Sequence, residues 1–261
     1  MSGQLEGRVA LVTGGTAGIG EGIAKALAAE GAKVVITARS PEKGAAAVER
    51  ISAVGDVRFH ACDVLDQAQV EEQVAWTVSE LGRLDILVNN AGGTDGFAPV
   101  HELSDEAWNK ALNWNLNSTF WATRAALRTM LPNHWGRIIN ISSVEGKVGN
   151  KHSLSHYVTN KHAINGFTKA VAAEYGALGI TSNAICPGAI ETDTMKTAGA
   201  SAAESAGITY EQFLDVFAQE SMIKRLNTAD EVAAMALLLA SDLGGGITGA
   251  LISVDGGTSP W

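Results

Sequence analysis

The sequence predicts an α/β fold of the doubly wound kind, a central parallel sheet of about seven strands with helices on both faces. Three observations carry this. Short apolar runs recur at 8–13, 33–38, 57–62, 84–89, 136–142, 180–186 and 249–254. The stretches between them have helical period. The runs are apolar throughout rather than alternating, which suits strands covered on both faces.

The first run, Arg8 to Thr13, is β-branched and leads directly into Gly14-Gly15-Thr16-Ala17-Gly18-Ile19-Gly20, a tight turn. A helix follows through Ile23, Ala24, Leu27 and Ala28 and stops at Gly31, a residue that suits a helix C-terminus. The second run, Lys33 to Ala38, ends at Arg39 and Ser40. After the third run, Val70, Val74, Val78 and Leu81 repeat at helical spacing. Segments 104–130 and 156–178 are long and amphipathic, whereas 191–220, rich in Ala, Ser, Thr and Gly, shows no clear pattern. Strand and helix in alternation require right-handed crossovers, so the expected architecture is a Rossmann fold in one domain, residues 1–261.

Composition agrees. The chain is 46% hydrophobic and 18% charged, ordinary for an enzyme of one large domain. Met1 to Gly7 lack the regions of a signal peptide, and no apolar stretch approaches the ~20 residues of a membrane span, so a cytoplasmic protein without membrane contact is expected. Cys62 and Cys186 each lie at a strand end and are expected as buried free thiols. Net charge is -9, and residues 190–261 hold ten acids and three bases; no basic patch interleaved with aromatics offsets this, which argues against a nucleic-acid partner. Among the histidines only His152 and His156 have a metal-like spacing, and they lie in loop-like sequence, so no metal site is expected.

Two clusters carry chemistry. The glycine turn would leave free backbone N–H groups at the positive end of a helix, a site for the pyrophosphate of a dinucleotide. Tyr157 and Lys161 stand four residues apart on one face of a helix. A free phenol ionises near pH ~10, and a neighbouring ammonium can bring that down toward neutrality.

The turn is T-G-x-x-x-G-x-G on Thr13, Gly14, Gly18 and Gly20, and with Tyr157 and Lys161 it resembles the classical short-chain dehydrogenase/reductase family. Further family motifs stand in order over nearly the whole chain: Asp63-Val64, Asn89-Asn90-Ala91-Gly92, Asn115, Ile141-Ser142-Ser143 and Pro187-Gly188. The resemblance implies a reaction between a small-molecule secondary alcohol and a ketone. Tyr157 would be the acid in reduction and the base in oxidation. Lys161 would lower its pKa and hold the nicotinamide ribose, Ser143 would bond the substrate oxygen, and Asn115 would anchor a water leading from Lys161 to solvent. Gly14, Thr16, Gly18, Ile19 and Gly20 would hold the pyrophosphate. Asp63, with Val64 beside it, and Asn90, Ala91 and Gly92 would hold the adenosine end; Pro187, Gly188, Ile190 and Thr192 would cradle the nicotinamide. Residues 191–220 resemble the family's substrate lid, and segments 104–130 and 156–178 those that form its homotetramers.

Cofactor choice falls just past the second run, where a carboxylate would accept from a ribose 2'-hydroxyl. Ala38 stands there instead, and the following Arg39 and Ser40 suit a 2'-phosphate. NADP(H) is therefore expected over NAD(H), although Arg39 could instead stack on adenine or face solvent. The family's basic residue before the second motif glycine is Ala17 here. The serine also departs from the pattern: relatives place it thirteen residues before the tyrosine, Ser143 precedes Tyr157 by fourteen, and the extra residue is expected within Gly149 to His152. Glu145 stands where a small residue is usual and is expected to point to water, the alternative being a pocket wall that selects a hydroxylated or cationic substrate. The other readings are a 3-oxoacyl carrier-protein reductase, whose basic docking run is replaced by Asn133-His134-Trp135, an NAD-dependent small hydroxy-acid dehydrogenase, and a non-catalytic nucleotide-binding regulator.

Overall fold

The structure, a computed structural model, describes residues 3–259, apart from the side chains of residues 194 and 198. Residues 1–2 and 260–261, at the ends of the expected 1–261 domain, lie outside the described residues. In chain order the elements are β1 (Val9–Thr13), α1 (Gly18–Ala29), β2 (Lys33–Ala38), α2 (Pro41–Ser52), β3 (Val57–Ala61), α3 (Gln67–Leu81), β4 (Ile86–Asn89), α4 (Asp105–Ala111), α5 (Ser118–Met130), β5 (Gly136–Ile141), α6 (Ser155–Tyr175), β6 (Ile180–Pro187), α7 (Asp193–Ala206), α8 (Tyr210–Glu220), α9 (Ala229–Ala240) and β7 (Leu251–Val254).

The strands form one parallel sheet in the order β3-β2-β1-β4-β5-β6-β7. The order reverses between β1 and β4, and the crevice beyond the carboxyl ends of those strands is where such folds bind ligands. Alternate strand residues go to opposite faces. Ala10 and Val12 join Ile23, Leu27 and Leu239 on one side, while Leu11 joins Val70, Val74, Ala126 and Met130 on the other. Burial on both faces explains why the runs are apolar without alternation.

At the opposite end of the sheet, fully buried Asp85 accepts from the Val9 N–H at 2.9 Å and from Arg83 at 2.6 Å. The guanidinium groups of Arg8 and Arg137 lie 3.6 and 4.2 Å from the ring centre of Trp135. These contacts tie β1, β4 and β5 together away from the crevice.

Two stretches differ from the sequence expectation. Segment 104–130 is not one helix but α4 and α5 joined by a π-helical turn, Leu112–Asn117, with Asn115 inside it. Segment 191–220 forms two helices, α7 and α8. Small residues hide their apolar stripe, but the caps are legible: Thr192 accepts from the Met195 N–H, and Thr209 and Gln212 make a reciprocal capping box. Cys62 and Cys186 are free and buried, as expected. Among the described residues no helix is long and apolar enough to cross a membrane.

Candidate active site

A cleft of about 570 Å³ runs over the carboxyl ends of β1, β2, β4 and β5. Its walls include Gly14, Thr16, Gly18, Ile19, Gly20, Arg39, Asp63, Val64, Asn90, Ala91, Gly92, Tyr157, Lys161 and Thr192, all expected from the sequence. They also include Lys110 and Trp114, which no motif marked and which the π-helical turn and the helix before it carry into place.

The glycine turn is braced rather than loose. Thr13 Oγ1 accepts from the N–H groups of Asn90 and Ala91, both at 3.0 Å, and Asn90 Nδ2 donates to the Thr13 and Gly14 carbonyls at 2.9 and 3.1 Å. Gly14 has φ +64°, and a Cβ on Gly20 would lie 2.3 Å from the Gly14 carbonyl oxygen. Only glycine lets turn and helix close this tightly. A cradle with its backbone N–H groups so presented at a helix start fits a dinucleotide pyrophosphate.

Arg39 lines the cleft and is exposed. Ser40 does not line it: its hydroxyl caps α2, accepting from the Lys43 N–H at 3.2 Å and donating to Glu42 at 2.7 Å. Pro187 and Ile190 are buried, Ile190 within the core, and the Gly188 N–H is bonded to the Val254 carbonyl. None of these three forms the cleft wall in this arrangement. Thr192 does, while also capping α7.

Of the four residues expected to act in catalysis, Tyr157 and Lys161 line the cleft, whereas Asn115 and Ser143 do not and Ser142 takes a place in its wall. Lys161 is buried, and its Nζ donates to the Ile141 carbonyl at 2.9 Å, at the end of β5. Burial pulls its ammonium down to about 8. Asn115 spends both amide donors on the Gly93 and Ala111 carbonyls, at 2.8 and 2.9 Å, and accepts from the Gly93 N–H at 3.1 Å. A Cβ on Gly92 would lie 2.7 Å from Asn115 Oδ1 and 3.7 Å from Lys161 Nζ, so a bare backbone at Gly92 lets the two side chains share one space. Tyr157 presents its ring 5.4 Å from Lys161 Nζ. The Ser143 hydroxyl favours ionisation of its phenol, but desolvation outweighs this and pushes the phenol above its ordinary 10.

Between Lys147 and Leu154 the chain runs as a loop, with Ser153 in the left-handed region at φ 61°. His156 belongs to α6, not to a loop, and is buried; its Nε2 lies 2.8 Å from both Thr94 Oγ1 and the Asp95 carbonyl. A carbonyl only accepts, so Nε2 carries the proton, and the ring straps segment 93–95 to the turn that holds Tyr157.

Glu145 corrects an expectation. It does not point to water: it is 6% exposed, with Oε2 buried and unpartnered. It lies in a tight 3₁₀ turn, Val144–Gly146, whose start is capped by Ser143 and which packs on α6.

Comparison with known proteins agrees with this geometry. Residues 14–259 match the family model described as enoyl-(acyl carrier protein) reductase. The chain belongs to the classical short-chain dehydrogenase/reductase family. It is 39% identical over 256 residues to D-beta-hydroxybutyrate dehydrogenase of Cupriavidus necator, covering 97% of this chain and 98% of that protein. It is 40% identical over 253 residues to 3-oxoacyl-[acyl-carrier-protein] reductase of Escherichia coli, covering 97% of each. The crystal structure of an actinorhodin polyketide ketoreductase variant with NADPH superposes with a TM-score of 0.93 at 35% identity, covering 100% of both chains. The chain is an oxidoreductase of the secondary alcohol–ketone class that uses NAD(P)(H).

Burial raises the Glu145 carboxyl above its ordinary 4.5. A raised carboxyl pKa means that the folded state holds the proton more tightly, so below about 4.5 the group costs nothing and above it folding carries the cost of a buried charge. Glu145→Gln should therefore raise the melting temperature at pH 7, by roughly 2 °C or more. The gain should vanish toward pH 4 in calorimetric scans.

Proposed function

We propose that this short-chain dehydrogenase/reductase is an NADP(H)-preferring ketone reductase and secondary alcohol dehydrogenase in which Tyr157 exchanges the proton. The carrying observation is the position of Tyr157 and Lys161 at one end of the same cleft that has the glycine cradle and Arg39 at the other. The cofactor, when bound, supplies or accepts the hydride. Gly14, Thr16, Gly18, Ile19 and Gly20 would receive its pyrophosphate, Arg39 a 2'-phosphate, and Asp63, Val64, Asn90, Ala91 and Gly92 the adenosine.

The rest follows from what the side chains can do. Ser143 would donate to the substrate oxygen together with the Tyr157 phenol, so that oxygen would meet two hydroxyl donors as it gains charge. Lys161, fixed on the Ile141 carbonyl, keeps two further N–H groups for the nicotinamide ribose. Asn115 acts chiefly by holding Gly93 and the π-helical turn in place, since its amide donors are already used. Ser40 contributes as a cap that fixes the start of α2 beside Arg39.

Helices α7 and α8 serve as a substrate lid in one domain. Thr192 and Asp193 reach the cleft, and α8 is fastened to the loop before α6 by an ion pair between Glu220 and Lys151, whose ammonium lies 5.2 Å from the Phe217 ring centre. Between α5 and α6 a groove of about 310 Å³ is lined by Phe120, Leu127, Phe167 and Val171, with Phe120 40% exposed. An apolar face of this kind suits the homotetramer interface. A cytoplasmic location fits the reduced thiols of Cys62 and Cys186.

Tyr157→Phe should lower kcat by about 10²–10⁴-fold in reduction of a ketone panel while NADPH binding, followed by fluorescence titration, is kept. Retained turnover would remove Tyr157 from the reaction. Arg39→Ala should weaken NADPH by about 10–100-fold and NADH far less, because a charge-assisted bond to phosphate is lost only with the former. Equal weakening of both would show that Arg39 does not meet the phosphate.

A further inference from the structure

Helix α2 reaches back to the glycine turn through Arg50, a residue that no motif marks. Arg50 lies in the last turn of α2 and forks onto the Glu21 carboxylate with Nε and Nη2, both at 2.8 Å. The same Nη2 donates to the Thr16 carbonyl at 3.2 Å. Glu21 stands in the first turn of α1, one residue after Gly20. The guanidinium holds the Glu21 carboxyl below its ordinary 4.5, so it is ionised at neutral pH and anchors Arg50.

Thr16 and Ala17 both line the cleft, and α1 begins at Gly18 with no side-chain cap from Ala17. The peptide that joins the two is planar and trans, so its carbonyl and its N–H point opposite ways. Holding the Thr16 carbonyl on Arg50 therefore fixes the direction of the Ala17 N–H as well. A carbonyl free to turn toward the cleft would set an oxygen against the pyrophosphate and take that N–H away from it. Asn90 braces the first residues of the turn, Thr13 and Gly14, from the end of β4, and Arg50 braces Thr16 from α2.

We infer that Arg50 is a positioning residue for the dinucleotide: anchored by Glu21, it sets the Thr16–Ala17 peptide in the orientation that receives the pyrophosphate. This rests on the cofactor site proposed above. NADPH and NADH share the pyrophosphate, so Arg50 acts on both alike, whereas Arg39 acts on the one with a 2'-phosphate. Lys25 also pairs with Glu21, at 2.9 Å, so two cations share one carboxylate. An effect of charge alone would therefore change sign when Glu21 rather than Arg50 is removed.

The test is a set of Kd values for NADPH, NADH and adenosine 2'-monophosphate, which has no pyrophosphate, measured by fluorescence titration or competition on wild type, Arg50→Met and Glu21→Ala. Arg50→Met should weaken both dinucleotides by a similar factor, about five- to twentyfold, and leave the monophosphate within about twofold, which also shows that the fold is intact. Glu21→Ala should weaken both dinucleotides too, although it leaves the protein beside the cradle more positive. Unchanged or tighter dinucleotide binding in Glu21→Ala overturns the inference, because charge alone then accounts for Arg50. So does unchanged dinucleotide binding in Arg50→Met, a loss confined to NADPH, or a monophosphate weakened as much as the dinucleotides. Should Arg50→Met not fold, the direction of the change in Glu21→Ala decides. Binding of neither dinucleotide by wild type overturns the cofactor site itself, and this inference with it.

Discussion

Lys161 places a cation in the protein interior with a single protein oxygen bonded to it among the described residues, the Ile141 carbonyl at the carboxyl end of β5. A buried ammonium is tolerable only where its donors are met, and here the fold meets one and leaves the others facing the cleft. Much of the surrounding structure holds that arrangement. Asn140 on β5 donates to Thr168 on α6 and accepts from Asn89 on β4, so the helix that carries Lys161 is registered against two strands through a buried polar chain. Gly92 leaves room for Asn115 and Lys161 to share one space, and His156 straps segment 93–95 to the same helix.

This layout separates chemistry from selection. Proton and hydride handling are assigned to groups on rigid elements at the strand ends, with positions fixed by backbone bonds. Away from those elements, the loop carrying Lys151 is joined to helix α8 by side-chain contacts to Glu220 and Phe217. Such contacts can change without disturbing the sheet, which is how one fold supports relatives as different as a hydroxybutyrate dehydrogenase and a polyketide ketoreductase.

Strands and glycine turn were legible in the sequence because both obey local rules: fully covered strands are apolar at every position, and a tight phosphate turn admits little but glycine. The cleft end of the site was legible for the same reason, from Gly14 to Gly20 and at Tyr157 and Lys161. The π-helical turn at Asn115 was not, since an extra residue in a helix leaves no signature in apolar period. Helices α7 and α8 escaped because alanine, serine and glycine blur the stripe, although Thr192 and Thr209 marked their starts. Glu145 was misread as solvated because charge alone favours the surface, and only the packing of its turn against α6 buries it. Ser40 looked like a phosphate ligand by position, whereas its hydroxyl was already committed to the α2 cap.

The central claim is that Tyr157 is held neutral by burial in the protein alone and becomes ionisable through the cationic surroundings built on Lys161. The direct measurement is tyrosinate absorbance near 295 nm followed against pH with saturating NADP⁺, in a chain that has only three tyrosines. The account predicts one phenol that ionises clearly below its value without cofactor, absent in Tyr157→Phe and displaced upward in Lys161→Met. No such phenol in wild type, or one that persists in Tyr157→Phe, would contradict it.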